Sequence, residues 1–251
     1  MAEQVPVVGP EYCISDHPVE LGIVRKALAL TSGNFKVTDV NDNDLFKVKV
    51  KWSLHDRRIL HDTAGNPIIT LRQKIRTMHS RWQVFRGDSH DKKDLLFTTV
   101  TSSCLQFKIK LNVFLVKNEK EEEPDFRLKG SFSKGSCIIY TGHGNSKSII
   151  AQVIVVISTP SLIKTLDISI FCVKTYLTTS LDPESKRRLR RQMSKKTTLK
   201  SVMFGKDNFR VTVNPNVDYV FIIALVVILD NIDTICMEAA KVAKNALLNV
   251  T

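Results

Sequence analysis

One apolar run near the C-terminal end of the chain limits the folds available to it. Residues 219–229 are eleven consecutive apolar side chains, bounded by Asp218 and Asp230. Because a helix needs about 20 apolar residues to cross a bilayer, and because the run has no polar face, we predict a helix enclosed by protein. Asn214 and Pro215 suit the cap and first turn of such a helix, and Asp218 suits the positive end of its dipole. The abundance of Val and Ile leaves a buried β-strand as the alternative.

Most of the remaining chain has the pattern of short β-strands separated by turns. From Phe46 to Trp52, apolar residues alternate with three lysines, which is typical of a strand with one buried face. Clusters of turn residues lie at Asn41–Asp44 and Thr63–Pro67. Residues Val19–Leu30 are compatible with either a short helix or a strand. The predicted strands are Phe35–Val40, Phe46–Trp52, Arg58–Leu60, Ile68–Gln73, Trp82–Arg86, Leu95–Thr101, Leu105–Val116, Asp125–Phe132, Ser136–Thr141, Leu199–Phe204 and Phe209–Val213.

The strand pattern alone fits a β-sandwich or a barrel. Together with the apolar run it predicts a mainly β fold, a closed barrel that encloses the hydrophobic C-terminal helix. A sheet needs apolar groups against its inner face, and a helix that is apolar on every side needs an enclosure. The domain should cover residues 19–233, with a flexible N-terminus over residues 1–18 and a short helical tail over residues 234–251. The helix residues expected in the barrel core are Tyr219, Phe221, Ile222, Ile223, Leu225, Val226, Ile228 and Leu229.

Charge and cysteine content narrow the functional classes. The 37 Lys and Arg residues exceed the 25 Asp and Glu residues, giving a net charge of +12, which favours an anionic partner such as a phospholipid surface or nucleic acid. The five cysteines are scattered and form no CxxC pair, which indicates free thiols in a reducing compartment. With neither a secretory signal nor a membrane-spanning run, we expect a cytoplasmic protein, at the plasma membrane or in the nucleus in some states.

Several short motifs resemble the plant LURP-one-related proteins, which are grouped with tubby C-terminal domains and phospholipid scramblases. The matching stretches are Leu30–Phe35, Val37–Val40, Leu54–Arg58, Ala64–Pro67, Arg81–Gly87, Gly205–Phe209 and Pro215–Tyr219. The resemblance implies a twelve-stranded barrel around a central hydrophobic helix and no established enzymatic activity. It also implies a connection with membrane-tethered transcription regulators and plant defence signalling.

One segment departs from the pattern of that family. The family continues directly from a strand ending at Gln152 to the segment that begins at Met193, whereas here residues 153–192 lie between them. Val codons begin with GT and a Gln codon can end in AG, so we interpret the 40 residues as a retained intron or a splicing error in the gene structure. If the segment is translated, it is an inserted loop. Its basic run, Lys186–Arg191, is then either a nuclear import signal, a phosphate-binding patch or a solvated segment.

The sequence contains no catalytic or metal-binding motif that we can assign. His55–Asp56 and His61–Asp62 lack the spacing of a zinc or acid–base site, and neither HExxH, GxSxG nor a complete phosphate-binding loop is present. In the family that the chain resembles, the stretch His55–Arg58 is better explained by a structural role, in which Arg and Asp order a strand turn. We therefore expect a protein that is not an enzyme and that uses no metal or cofactor.

The leading functional hypothesis is peripheral binding of anionic phospholipid by a monomeric barrel. Tubby domains, which the chain resembles in fold, recognise phosphoinositide headgroups with surface Lys and Arg. Alternating positions place three lysines on one face of one strand, and three basic residues on one face of the next hairpin if its strand continues past Gln73. An ordinary charged outer barrel face is nevertheless the more common explanation for any one of these residues. A nucleic-acid-binding protein is the alternative, and a scramblase-like lipid protein is a weaker one. The candidate residues for the anionic-lipid patch are Lys47, Lys49, Lys51, Arg72, Lys74 and Arg76.

Overall fold

In the part of the chain that the structure describes, a series of strands is followed by one α-helix. A computed structural model describes residues 4–25, 34–51, 57–74, 80–105, 108–131, 136–141, 148–156 and 208–232. The strands are β1 (Val19–Arg25), β2 (Phe35–Thr38), β3 (Asp44–Lys51), β4 (Arg57–His61), β5 (Pro67–Lys74), β6 (Arg81–Arg86), β7 (Leu95–Leu105), β8 (Lys108–Leu115), β9 (Phe126–Ser131), β10 (Ser136–Thr141), β11 (Ile149–Val156) and β12 (Asn208–Val213). Two 3₁₀ turns lie at Pro10–Tyr12 and Lys92–Asp94. Helix α1 covers residues 219–232.

The strands form a closed antiparallel barrel in which every strand pairs with the next one in sequence. Strands β1 and β12 complete the wall, with Val19 opposite Val213 and Ile23 opposite Phe209. Closure leaves no unpaired edge strand. The predicted fold class is therefore confirmed, and Val19–Leu30, which fitted either element, begins with a strand that runs from Val19 to Arg25.

Helix α1 fills the interior of the barrel. The side chains from Val220 to Leu229 are each at most 1% exposed, so the helix buries every face, as its uninterrupted apolar run predicts. The ring of Phe221 packs between those of Phe97 and Phe126, at centroid distances of 5.1 Å and 5.0 Å. Complete burial of a large apolar side chain stabilises a fold by about 1.5 to 3 kcal/mol, so the helix is the largest single contributor to the core.

The helix begins later than its sequence suggests. Asn214 was expected to be the cap, but the chain makes a turn at Pro215 and Asn216, where Asn216 has a φ of 63°. The cap is Asp218, whose Oδ1 accepts a hydrogen bond from the backbone N–H of Phe221 at 2.9 Å. The left-handed residue redirects the chain into the barrel before the first helical residue, so the capping position moves from Asn214 to Asp218.

The N-terminal segment, which we expected to be flexible, is docked against the start of the helix. The other oxygen of Asp218, Oδ2, accepts backbone N–H hydrogen bonds from Val7, Val8 and Gly9 at 3.1, 2.6 and 3.1 Å. The ring of Tyr12 also meets that of Tyr219 edge-on, with 5.7 Å between centroids. Burial raises the pKa of Asp218, against the effect of these hydrogen bonds. Residues 4–18 therefore close one end of the barrel.

A buried ionic cluster lies at the other end of the helix. Asp230 is 5% exposed and forms ion pairs with Arg25 and Arg58, the latter at 4.0 Å. The guanidinium of Arg58 also lies 5.8 Å from the centre of the Trp82 ring. Arg58 thus joins the barrel wall to the helix. Of the stretch His55–Arg58, for which a structural role was inferred, residues 55 and 56 lie outside the described residues.

Strand β11 continues into the segment where we expected an interruption. Val153 is buried and lies opposite Val211 of β12 and Cys137 of β10, and the pairing with β12 extends to Val156. The reason is local: these residues are apolar and mostly β-branched, so they prolong the strand beyond Gln152. Residues 157–192, the predicted strand Leu199–Phe204 and the tail over 234–251 lie outside the described residues, and the insertion and the helical tail stay predictions.

Candidate basic face

The outer surface of strands β2 to β6 carries a concentration of basic side chains. On β3, Phe46 and Val48 point into the core, so the intervening Lys47, Lys49 and Lys51 point outward. Cross-strand pairing then aligns basic residues of neighbouring strands on the same surface. We call this surface the basic face; its members are Lys36, Lys47, Lys49, Lys51, Arg57, Arg72, Lys74 and Arg81.

The strand register brings the predicted residues of separate strands together. Lys51 lies opposite Arg57, and Arg57 lies opposite Arg72. In the next row, Lys74 lies opposite Arg81. Directly opposed residues in an antiparallel sheet have their Cβ atoms about 5 Å apart, so these positive charges are near neighbours. Five of the six predicted patch residues are thus on one surface, and the sixth, Arg76, lies outside the described residues.

Two carboxylates from the ends of strands compensate part of this charge. The carboxylate of Asp44 forms ion pairs with the ammonium groups of Lys36, at 2.6 Å, and Lys47, at 3.8 Å. Asp88 pairs with Lys51 at 3.0 Å and with Arg57. The hydrogen bond from Lys51, followed by the charges of Arg57 and Lys51, lowers the pKa of Asp88.

The loop that carries Asp88 is folded back onto the outer surface of the sheet. Gly87, with a φ of 60°, makes the turn, a conformation that glycine adopts without strain. Its N–H donates to the carbonyl of Ile68 at 2.8 Å, and its carbonyl accepts the hydroxyl of Thr70 at 2.7 Å. These two contacts hold Asp88 over the first row of the basic face.

A third carboxylate reaches the face from the loop between β8 and β9. Both oxygens of Glu121 accept hydrogen bonds from Arg81, at 2.8 and 2.6 Å, and one of them also accepts the hydroxyl of Thr98 at 3.0 Å. The pKa of Glu121 is lowered, first by the hydrogen bond from Arg81 and further by Thr98 and the charge of Lys74.

The centre of the face keeps its positive charge. Among the residues that the structure describes, neither Lys49 nor Arg72 forms an ion pair. Lys49 and Lys74 are exposed, and Arg72 is half-buried. Arg72 on β5 therefore lies between the strands whose residues pair with Asp88 and the strand whose Arg81 pairs with Glu121, whereas Lys49 lies on β3 near Lys51.

Sequence reasoning did not identify Arg57, Arg81 or the three carboxylates as parts of this surface. Arg57 precedes the buried Arg58, so the alternation of β4 could have placed it outward. Nothing in the local sequence could show that Asp88 and Glu121 reach back over strands that are distant in the chain.

The weaker motif at His61–Asp62 is part of a turn. Asp62 accepts hydrogen bonds from the backbone N–H of Asn66 at 2.7 Å and from its side-chain amide at 2.9 Å. Over the described part of the chain, no group of three or more His, Cys, Asp or Glu residues is placed to hold a metal ion. In the same residues, no helix has both the length and the apolar character to cross a bilayer.

Comparison with known proteins relates the whole described fold to one family. The family model described as LURP-one-related matches residues 19–174 and 174–230, so its two stretches meet inside the segment 153–192. The chain is 46% identical to LURP-one-related 15 of Arabidopsis thaliana over 228 residues, covering 90% of this chain and 85% of that protein. It is 42% identical to LURP-one-related 1 of the same plant over 243 residues, covering 96% and 88%.

The fold of the chain is also similar to that of a solved structure. The X-ray structure of an Arabidopsis thaliana protein superimposes with a TM-score of 0.58 at 38% sequence identity, covering 91% of this chain and 98% of that one. Both the sequence and the barrel around its helix therefore agree with the motifs noted above, and the chain belongs to the LURP-one-related family.

Proposed function

We propose that this protein is a non-enzymatic module that binds anionic phospholipid headgroups through the basic face. The observation that carries the proposal is the aligned row Lys51, Arg57 and Arg72, next to the uncompensated Lys49 and the exposed Lys74. Each Lys or Arg held near an anionic membrane contributes about 1 kcal/mol to binding. A few such residues on one rigid sheet are enough for reversible, peripheral association.

The filled interior directs binding to the outside of the barrel. Helix α1 occupies the space that an eight- to twelve-stranded barrel can otherwise offer to a small molecule. A headgroup, by contrast, needs only surface donors, and Lys and Arg side chains recognise phosphate with their ammonium and guanidinium groups. The expected setting is a cytoplasmic protein that visits the plasma-membrane surface, where it supports signalling in transcription or defence.

Cosedimentation with vesicles tests the proposal. Vesicles of phosphatidylcholine alone are compared with vesicles that also contain phosphatidylinositol bisphosphate, at low salt. The double variant Lys49→Gln/Arg72→Gln should bind the anionic vesicles about 30-fold more weakly than the wild type, since it removes two contributions of about 1 kcal/mol. Binding should also weaken as salt is raised.

A matched control separates the basic face from net charge. Lys110 and Arg127 lie on β8 and β9, far around the barrel from β3 to β5. The variant Lys110→Gln/Arg127→Gln removes the same charges and should retain most of the binding. Equal losses in the two variants, or the absence of wild-type binding to any acidic vesicle, would contradict the proposal. Salt-titrated binding to duplex DNA that is stronger than vesicle binding would instead support the nucleic-acid alternative.

A further inference from the structure

The contacts of Glu121 have the form of an anion-binding site. Its carboxylate receives two N–H groups from the Arg81 guanidinium, at 2.8 and 2.6 Å, and the Thr98 hydroxyl at 3.0 Å. The guanidinium fork fits the oxygens of a carboxylate and those of a phosphate equally well. The ammonium of Lys74 is close enough to lower the pKa of the Glu121 carboxyl, and would add a second positive charge for a phosphate.

These donors continue the basic face without a break. Lys74 lies directly opposite Arg81, and Thr98 lies opposite Gln83, which lies opposite Arg72. Arg72 belongs to the uncompensated centre of the face. A headgroup seated at that centre would therefore have Arg81 and Thr98 within one or two strand spacings, about 5 to 10 Å.

Glu121 can leave this position without releasing its loop. The base of the loop is held separately: Asp125 accepts the N–H of Leu115 at 2.9 Å and the amide of Asn118 at 3.0 Å. Pro124 is buried, whereas Glu122 and Glu123 are exposed. Glu121 itself has a φ of 50°, a left-handed conformation that non-glycine residues adopt at a cost. The backbone N–H of Glu121 also donates to the carbonyl of Asn118 at 3.3 Å, so the backbone turn is held independently of the side-chain contact with Arg81.

We infer that Arg81, Thr98 and Lys74 form a phosphate subsite of the basic face, which the carboxylate of Glu121 occupies in this structure. This inference rests on the proposed function. An incoming phosphate replaces the carboxylate of Glu121 as the acceptor for Arg81 and Thr98. The side chain of Glu121 then rotates into solvent, where those of Glu122 and Glu123 already lie. The acidic loop thus competes with the ligand and sets the affinity of the face.

The substitution Glu121→Gln, which replaces the carboxylate by an uncharged amide of the same size, tests the subsite, with Glu122→Gln as the matched control. Both remove one negative charge from the same loop, but Glu122 is exposed. Competition from a partly exposed ion pair predicts that Glu121→Gln binds vesicles containing phosphatidylinositol bisphosphate about threefold to fivefold more tightly than Glu122→Gln does. Adding Thr98→Val to Glu121→Gln should reverse the gain, because the phosphate then loses the hydroxyl donor.

The outcomes distinguish this inference from the function on which it rests. Equal binding by the two variants, with wild-type binding intact, overturns the subsite and leaves the proposed function standing. Absence of binding in every variant overturns both. A parallel titration with free inositol trisphosphate separates the two sources of phosphate: a gain for Glu121→Gln there shows recognition of the headgroup itself, and a gain with vesicles alone shows that the bilayer surface is required.

Discussion

The carboxylate of Asp218 accepts a hydrogen bond from the backbone N–H of Val8 at 2.6 Å, across 210 positions of sequence. The same side chain caps helix α1 through Phe221. One residue therefore begins the helix and also fastens the N-terminal segment over the end of the barrel. Substitutions there should affect both parts at once.

Asp218→Ala should destabilise the fold by roughly 2 to 4 kcal/mol. Loss of a helix cap costs about 0.5 to 2 kcal/mol, and buried N–H groups left without an acceptor add about 1 to 3 kcal/mol. Urea denaturation measures the difference. Asp16→Ala is the control, because Asp16 is exposed and bonds only to Ser15 among the contacts described. Equal midpoints for the two variants would exclude a role for Asp218 in holding the segment.

An acidic residue at the centre of the helix should prevent folding. Leu225 is completely buried, and an ionised carboxylate without a partner costs several kcal/mol in such surroundings. Leu225→Asp should leave little protein in the supernatant after expression, as should Ile223→Asp. Val116→Asp is the matched control at a position that is 49% exposed. Cooperative thermal unfolding of Leu225→Asp near the wild-type midpoint would show that the helix is not central to the fold.

Removal of Arg58 should cost about 2 to 3 kcal/mol. Breaking a buried ion pair from one side costs about 3 to 5 kcal/mol, and here Arg25 remains beside Asp230 and limits the loss. Arg58→Met keeps most of the apolar volume against Trp82. Arg86→Met, at an exposed position of β6, should change the unfolding free energy by less than about 0.5 kcal/mol. A similar small change for Arg58→Met would mean that the cluster contributes nothing.

Acid should remove the stabilisation supplied by Glu121. The hydrogen bond from Arg81 lowers the pKa of Glu121 in the folded chain below its ordinary value of 4.5, so the unfolded chain binds this proton more tightly. The contribution, a few tenths to about 1 kcal/mol for a partly exposed pair, is fully present above that ordinary value and is lost as the pH falls through the lowered pKa. Urea midpoints of wild type and Glu121→Gln should differ at neutral pH and converge in strong acid. A gap that persists in acid would point to another cause.

The sequence could predict those parts of the fold that produce a pattern of apolar and polar residues within a single helix or strand. The unbroken apolar run predicts an enclosed helix, and the alternation around Lys47, Lys49 and Lys51 predicts a strand with an outward basic row. Both signals repeat with the period of the element itself. The need to enclose the helix predicts that the barrel closes, but the pairing of β1 with β12 was not predicted, because no local pattern specifies which strands meet.

The features that escaped prediction depend on contacts between distant segments. The cap at Asp218 was missed because Asn216, in a left-handed conformation, delays the start of the helix. The docking of residues 4–18 was missed because hydrogen bonds from backbone N–H groups do not depend on which side chains are present, so the sequence does not indicate them. Asp88 and Glu121 belong to loops whose acids look solvated. Their positions over Arg57 and Arg81 follow from how the loops fold back, which the register of the barrel determines.

The order of the elements along the chain also determines when the barrel can form during synthesis. A chain is synthesised from its N-terminus. Val19 in the first strand therefore cannot pair until Val213 in the last strand has been made, and the helix that fills the barrel interior is made later still. Until the helix is made, the inward side chains of the twelve strands have no core to pack against, and such long-range pairing is slow. The domain therefore completes its fold only after helix α1 has been synthesised, and its cellular yield depends on what shields these strands during that interval.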